Sequence, residues 1–268
     1  MFKTRLLSGI VLVILAIGMI VGGGNILLFS TLAISIVGMY ELCRVFQVEK
    51  TPLSVVAYIT AVLYYLNLSL SFSLVPDAMM LAMASLILMM FIYVFSYPKY
   101  QAKHLMAVFF SFFYVAVMLS YVYQIRCLDN GLYLAFLIFI CSWGCDTSAY
   151  CVGKMIGKHK MSPILSPKKS VEGAVGGIVG TALLTVIYLS VFRTQMAIGT
   201  TQIAILAVIS AIAGAISMVG DLTASAIKRN YDIKDYGNLI PGHGGILDRF
   251  DSMIITAPII YYLAYFML

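Results

Sequence analysis

The stretch A-V-G-G-I-V-G-T-A-L-L-T-V-I-Y-L-S-V-F, Ala174 to Phe192, is followed after ten residues by I-A-I-L-A-V-I-S-A-I-A-G-A-I-S-M-V, Ile203 to Val219. Neither run contains a charged side chain, and between them the only charge is Arg193. Crossing the hydrocarbon of a bilayer takes ~20 residues, with ~17 to 25 the usual range. Two such runs in close succession read as membrane-spanning helices rather than as core segments of a water-soluble domain.

Working outward, seven more apolar runs can be marked: Leu6 to Val21, Ile26 to Tyr40, Leu53 to Leu74, Ala78 to Tyr97, Leu105 to Ile125, Leu132 to Tyr150 and Met253 to Leu268. The first, second and last are short for a span. Gly22, Gly23, Gly24 and Asn25 separate the first two as a tight turn. Met1 to Arg5 and the run behind them resemble a signal peptide in charge and hydropathy. No small-residue cleavage site follows, so the run reads as a retained first span.

Composition agrees. Of 268 residues, 62% are hydrophobic and 10% charged, against about 25% charged in soluble domains. So much apolar surface cannot be hidden inside one globule of this size. The expected fold is an all-α polytopic transmembrane helical bundle of about nine spans with a cytoplasmic N-terminus. Its N-terminal region, residues 1–130, would hold about five spans. Residues 131–268 would form the catalytic region, with cytoplasmic loops 152–173 and 220–251.

Charge placement supports that topology. With nine spans and the N-terminus inside, fifteen of the seventeen Lys and Arg residues fall on the inner side; only Arg126 and Arg193 fall outside. The positive-inside rule expects such an excess. Because most of the net charge of +6 lies in short loops between apolar runs, nucleic acid is excluded as a partner. The five cysteines show no paired metal spacing. Cys141 and Cys145 share a helical face, where packing is the expected role. Gly173, Gly176, Gly177 and Gly180 form overlapping small-xxx-small pairs. Close helix packing accounts for them, with a homodimer interface the weaker alternative.

Four carboxylates sit at the inner ends of three spans. Asp146 lies in W-G-C-D-T-S-A-Y, Asp221 directly follows the eighth span, and Asp248 and Asp251 precede the ninth. An ionisable residue at membrane depth is costly and is a functional candidate by default. Interfacial capping would explain one such aspartate better than four beside nine basic residues. Carboxylates gathered with lysines and arginines suggest a metal–phosphate site, since Mg²⁺ takes one or two carboxylates together with phosphates and waters. On a helix running on from Asp221, Ser225, Lys228 and Arg229 lie on the same face. The loop P-G-H-G-G, Pro241 to Gly245, would let backbone N–H groups approach an anion, although taken by itself a plain turn is the better reading.

Ser225 to Asp251 reads S-A-I-K-R-N-Y-D-I-K-D-Y-G-N-L-I-P-G-H-G-G-I-L-D-R-F-D. This resembles the signature of the phosphatidate cytidylyltransferase family: S-x-x-K-R, K-D, a glycine, P-x-H-G-G and D-R-x-D. D-T-S-A-Y-x-x-G-K (Asp146 to Lys154) and S-P-K-K-S-V-E-G (Ser166 to Gly173) resemble further blocks of that family. The resemblance covers the C-terminal half; the first five spans match only in hydropathy and number.

The resemblance implies nucleotidyl transfer from CTP to phosphatidic acid drawn from the membrane lipid. It also implies a divalent cation, with Mg²⁺ and a two-cation site expected and the second ion left open. Asp221, Asp248 and Asp251 would bind metal, with Asp146 a further ligand or partner. Lys228, Arg229 and Arg249 would clamp phosphates approached by the Gly244–Gly245 backbone, with Ser225 and His243 beside them. Lys168, Lys169 and Ser170 would form a lid, Glu172 would orient those lysines or simply pair with them, and Lys234 and Asp235 would fix the loop. The short N-terminal segment suggests a bacterial enzyme of minimal size in the cytoplasmic (inner) membrane, its site facing the cytoplasm. A CTP-dependent lipid kinase and an ion-coupled transporter are the rival readings. A CDP-alcohol phosphotransferase is excluded, because no D-G-x-x-A-R string is present.

Overall fold

The computed structural model describes residues 2–69 and 78–267. Among the described residues, nine long helical rods follow the nine apolar runs: α1 (Phe2–Gly22), α2 (Gly24–Val45), α3 (Pro52–Ser69), α4 (Ala78–Phe95), α5 (Ala102–Arg126), α6 (Gly131–Ile156), α7 (Val171–Val191), α8 (Thr200–Asn230) and α9 (Leu247–Met267). The end of the third run, to Leu74, and Leu268 lie outside the described residues. Seven rods, α2 to α8, are long and apolar enough to cross a membrane. The apolar part of α1 is shorter, and α9 carries Asp248, Arg249 and Asp251 in its first turns.

The chain is a polytopic helical membrane protein. Along α4, Met79, Met80, Met83, Ile87, Phe91 and Val94 all point outward and are more than half exposed. A helix with that surface in water would be an aggregation site; in lipid it needs no cover. The departure from an all-α chain is a small antiparallel hairpin, β1 (Lys160–Ser162) with β2 (Ser166–Ser170), between α6 and α7.

Contacts divide the chain into two compact units. The first comprises Met1–Gln124 with Asp235–Arg249. Within it, the turn between α1 and α2 is made by Gly23 (φ 58°) and Gly24 (φ 45°), left-handed conformations that glycine adopts without a Cβ penalty. A π-helical turn, Phe112–Val117, interrupts α5.

The second unit comprises Ile125–Lys234 and Phe250–Leu268. Here α6 and α7 pack closely through the four glycines of α7. A Cβ on Gly176 would come within 2.4 Å of Val152, and one on Gly180 within 2.5 Å of Ser148. Gly173 and Gly177 would meet Ala149 and Cys145 in the same way. The small-residue pairs therefore serve packing inside one chain. Cys141 and Cys145 are buried free thiols in the same interface region, as their helical spacing predicts.

At ~1.5 Å per residue, the 31 residues of α8 reach about 46 Å, well beyond the ~30 Å of bilayer hydrocarbon. Residues 200–219 account for the apolar thickness, and the rest of the helix carries Asp221, Ser225, Lys228 and Arg229 past it. In α6 a π-helical turn, Ile140–Gly144, lies just before Asp146. The extra residue in such a turn re-aims everything that follows by about 100°, which sets the face on which Asp146 projects.

Candidate functional site

A cavity of about 450 Å³ opens in the second unit where α6, the hairpin, α7 and α8 meet. Its polar lining includes Asp146 and Lys154 from α6, Lys168, Lys169 and Ser170 from β2, and Asp221 from α8. Local chemistry explains how the hairpin presents those lysines. Ser170 ends β2 and caps α7, its hydroxyl accepting the Gly173 N–H at 3.1 Å. One turn on, the Glu172 carboxylate accepts the backbone N–H groups of Lys158 (3.0 Å) and His159 (3.2 Å) and meets His159 Nδ1 at 2.6 Å. Glu172 therefore ties the start of the hairpin to α7; its side-chain partner is His159 rather than a lysine.

Inside the cavity, Lys169 Nζ forms a close ion pair with Asp221 Oδ2. The Ser225 hydroxyl reaches Asp221 Oδ1 from one turn further along α8, at 3.4 Å, so the expected stripe is real for these two residues. Arg229 turns instead to the helix end, Nη1 donating to the Ile233 carbonyl at 3.4 Å. Asp251 is 8% exposed and lies just before the apolar part of α9. Burial, and next the charge of Asp221, push its carboxyl above the usual carboxylate range; Lys228 draws it back and Asp146 adds to the rise. Asp251 thus stands within electrostatic reach of two other carboxylates and a lysine of this unit.

The first unit holds the remaining signature residues. Pro241 to Gly245 fold into a turn closed by Ile240 N–H to the Gly244 carbonyl and His243 N–H to the Ile240 carbonyl, both 2.9 Å. Gly242 (φ 78°) and Gly244 (φ 87°) supply its left-handed positions. Asp248, 6% exposed, accepts the N–H groups of Tyr236 (2.8 Å) and Gly245 (2.9 Å) on the same oxygen, Oδ2. The Gly245 N–H is therefore directed at a carboxylate of its own chain. His243 Nδ1 lies 2.7 Å from Ser8 Oγ on α1, and that hydroxyl also donates to the Pro241 carbonyl at 3.1 Å. Lys234, in the second unit, and Asp235, in the first, are both exposed.

Two residues that the sequence reading passed over hold this loop. Glu41, at the end of α2 and 4% exposed, accepts the N–H groups of Ile246 (3.1 Å) and Leu247 (2.8 Å). These are orphan donors at the start of α9, and a carboxylate suits that helix end. A Cβ on Gly237 or Gly245 would come within 2.5 Å of the Glu41 carboxylate, so both glycines make room for it. Arg44, one turn later on α2, donates to the Tyr236 carbonyl at 2.5 Å. A carboxylate at the end of an apolar run was the available signal.

Among the described residues, no three His, Cys, Asp or Glu side chains form a ready-made metal cage. The donor set nevertheless fits a hard divalent cation. Asp146, Asp221 and Asp251 offer carboxylate oxygens, the donor type such a cation takes, and Mg²⁺ requires only one or two carboxylates when phosphate and water complete its shell.

The chain matches the cytidylyltransferase family over residues 3–267. Among proteins similar to it are three bacterial phosphatidate cytidylyltransferases. That of Staphylococcus saprophyticus subsp. saprophyticus is 30% identical over 96% of this chain and 97% of its own. That of Bacillus subtilis (strain 168) is 31% identical over 97% of both chains. That of Staphylococcus aureus (strain COL) is 32% identical over 96% of this chain and 97% of its own.

Proposed function

Because this chain belongs to the cytidylyltransferase family, we propose that it transfers the cytidylyl group of CTP to phosphatidate, producing CDP-diacylglycerol and pyrophosphate. The observation that carries this reading is the likeness, end to end, to relatives named for that reaction. The chain is an integral membrane protein and a nucleotidyltransferase. In our reading it lies in the bacterial cytoplasmic membrane with the cavity open to the cytoplasm, where the inner-loop excess of lysine and arginine would place it.

A non-bridging oxygen of the lipid phosphate attacks the α-phosphorus of CTP. The bond from that phosphorus to the oxygen bridging to the β-phosphate breaks, and pyrophosphate leaves with the electron pair. A phosphomonoester loses its second proton near pH ~6, so at neutral pH the nucleophile is already charged and needs no strong base. What opposes the reaction is repulsion between two polyanions. Lys154, Lys168 and Lys169 line the cavity and would supply positive charge there to phosphate oxygens. Lys228, Arg229 and Arg249 are assigned to the same task.

Cation binding is assigned to Asp221, Asp248 and Asp251 with Asp146, Mg²⁺ being the ion their oxygen donors suit. A divalent cation bound there would neutralise charge on phosphate oxygens. Asp248 also orders the Tyr236–Gly245 loop, and Ser170 and Glu172 set the hairpin that carries the lysines.

The test is pyrophosphate release by purified protein in detergent, given CTP, Mg²⁺ and phosphatidate. Release that depends on the lipid, with CDP-diacylglycerol formed in equal amount, supports the proposal. CTP binding without turnover would refute the choice of acceptor.

A further inference from the structure

A second opening, about 330 Å³, runs along the seam of α7 and α8. Its walls are apolar and mostly small: Ile178 and Ala182 from α7, with Ala207, Val208, Ala211 and Ala215 from α8. Its lining residues lie on the same helical faces as part of the lining of the cavity described above. On α7, Ala174 lines the cavity and Ile178 and Ala182 line the groove, each four residues on and hence on one face. On α8, Met218 lines the cavity and Ala215 and Ala211 continue into the groove at spacings of three and four. From Ala174 to Ala182 the helix rises about 12 Å. Behind the groove the helices close tightly. Gly177, Thr181 and Thr185 are buried, and a Cβ on Gly214 would lie 3.0 Å from Thr181 Oγ1. The groove thus has a floor of packed small residues, and it lies on helical faces that also carry residues of the lysine-lined cavity.

We propose that this groove holds an acyl chain of the lipid substrate whose phosphate occupies the cavity. The inference rests on the transfer reaction proposed above and adds where the lipid tail lies. The chemistry of the two ends selects the occupant. Lys154, Lys168 and Lys169 at one end call for an anion. The uncharged, open groove at the other end calls for hydrocarbon, and only an amphiphile satisfies both. CTP has no part that would enter the groove. Starting from the hairpin, α7 runs into its own apolar stretch, so the groove leads toward the region where acyl chains already lie. Four of its lining residues, at 182, 207, 211 and 215, are alanines; a leucine at any of them would add bulk inside the groove.

The experiment compares Ala182→Leu and Ala211→Leu with the wild-type protein and with Val179→Phe, an outward position 52% exposed that adds bulk outside the groove. Turnover is measured with dioleoyl phosphatidate and with water-soluble dihexanoyl phosphatidate. The expected result is a KM for the dioleoyl lipid raised at least about fivefold, with the KM for CTP and the dihexanoyl reaction unchanged and Val179→Phe silent. Equal loss with both lipids, or no change with either, would overturn the proposal.

Should the leucine variants fail to fold, photo-crosslinking of wild-type protein with a phosphatidate bearing a diazirine at mid-chain decides the matter. Labelling at residues 178–182 and 207–215 that unlabelled phosphatidate suppresses, and phosphatidylcholine does not, supports it. Uniform labelling of all lipid-facing helices, or labelling there only of a second copy of the chain by itself, counts against it. If wild-type protein turns over neither lipid, the transfer reading fails; the crosslinking pattern still judges the groove separately.

Discussion

The ammonium of Lys169 stands against the Asp221 carboxylate, so one ion pair joins the β-hairpin to the part of α8 that extends beyond its apolar run. The pair lines the cavity, and each side chain is about one quarter exposed. An isolated pair of that exposure adds little to stability. In the proposed reaction its value would lie in keeping a positive charge among the groups assigned to phosphate before substrate arrives.

Replacing Lys169 by methionine should therefore spare folding and damage turnover. Removing one group that stabilises charge in the transition state costs roughly 100- to 1,000-fold in kcat. We expect a loss of that order for Lys169→Met, with the melting temperature in detergent nearly unchanged and partial activity in Lys169→Arg. A variant within threefold of wild type would take Lys169 out of the reaction.

Glu41 and Gly245 should behave as one unit. Glu41→Ala strands one buried and one part-buried N–H group, the buried one at about 1–3 kcal/mol, and should lower thermal stability measurably. Gly245→Ala alone should be at least as harmful, because the new Cβ would collide with the Glu41 carboxylate. In the Glu41→Ala background the same glycine substitution should cost much less, since contacting residues are not additive. A double-mutant cycle of melting temperatures that came out additive would contradict this contact.

The glycines of α7 should tolerate no side chain where α6 approaches. Gly176→Leu and Gly180→Leu force side chains into Val152 and Ser148, and overpacking of this kind costs roughly 1–3 kcal/mol or more. Lower yield of folded protein and an earlier thermal transition are expected. Val175→Leu, on the exposed face of the same helix, should be silent.

Removal of divalent cations with EDTA should abolish turnover, and Mg²⁺ should restore it. Asp251→Asn should raise the Mg²⁺ concentration needed for half-maximal rate by at least about tenfold, the scale on which altered metal sites lose affinity. Asp248→Asn should abolish turnover while the protein remains folded and membrane-inserted. Near-normal turnover in Asp248→Asn would remove it from the cation site.

Much of this could be read in advance, for identifiable reasons. The helices were legible because uncharged runs such as Ile203 to Val219 have few other solutions in lipid. The pairing of Asp221 with Ser225 followed from helical spacing alone. The hairpin at 160–170 was not legible: its strands are three and five residues long and rich in lysine, a residue depleted in strands. Nor were the π-helical turns, which leave no clear mark in composition. Glu41 escaped because its partners lie 205 and 206 residues away in sequence. No local pattern links a carboxylate at the end of α2 to the first turn of α9.

The most direct test of the central claim follows individual phosphorus atoms. Purified protein would be given phosphatidate with CTP labelled at either the α- or the γ-phosphate, and the lipid product isolated. Nucleotidyl transfer predicts that the α-label enters the lipid as CDP-diacylglycerol and that the γ-label leaves entirely as pyrophosphate. Label from the γ-phosphate in the lipid, with CDP released, would show a kinase and contradict the account.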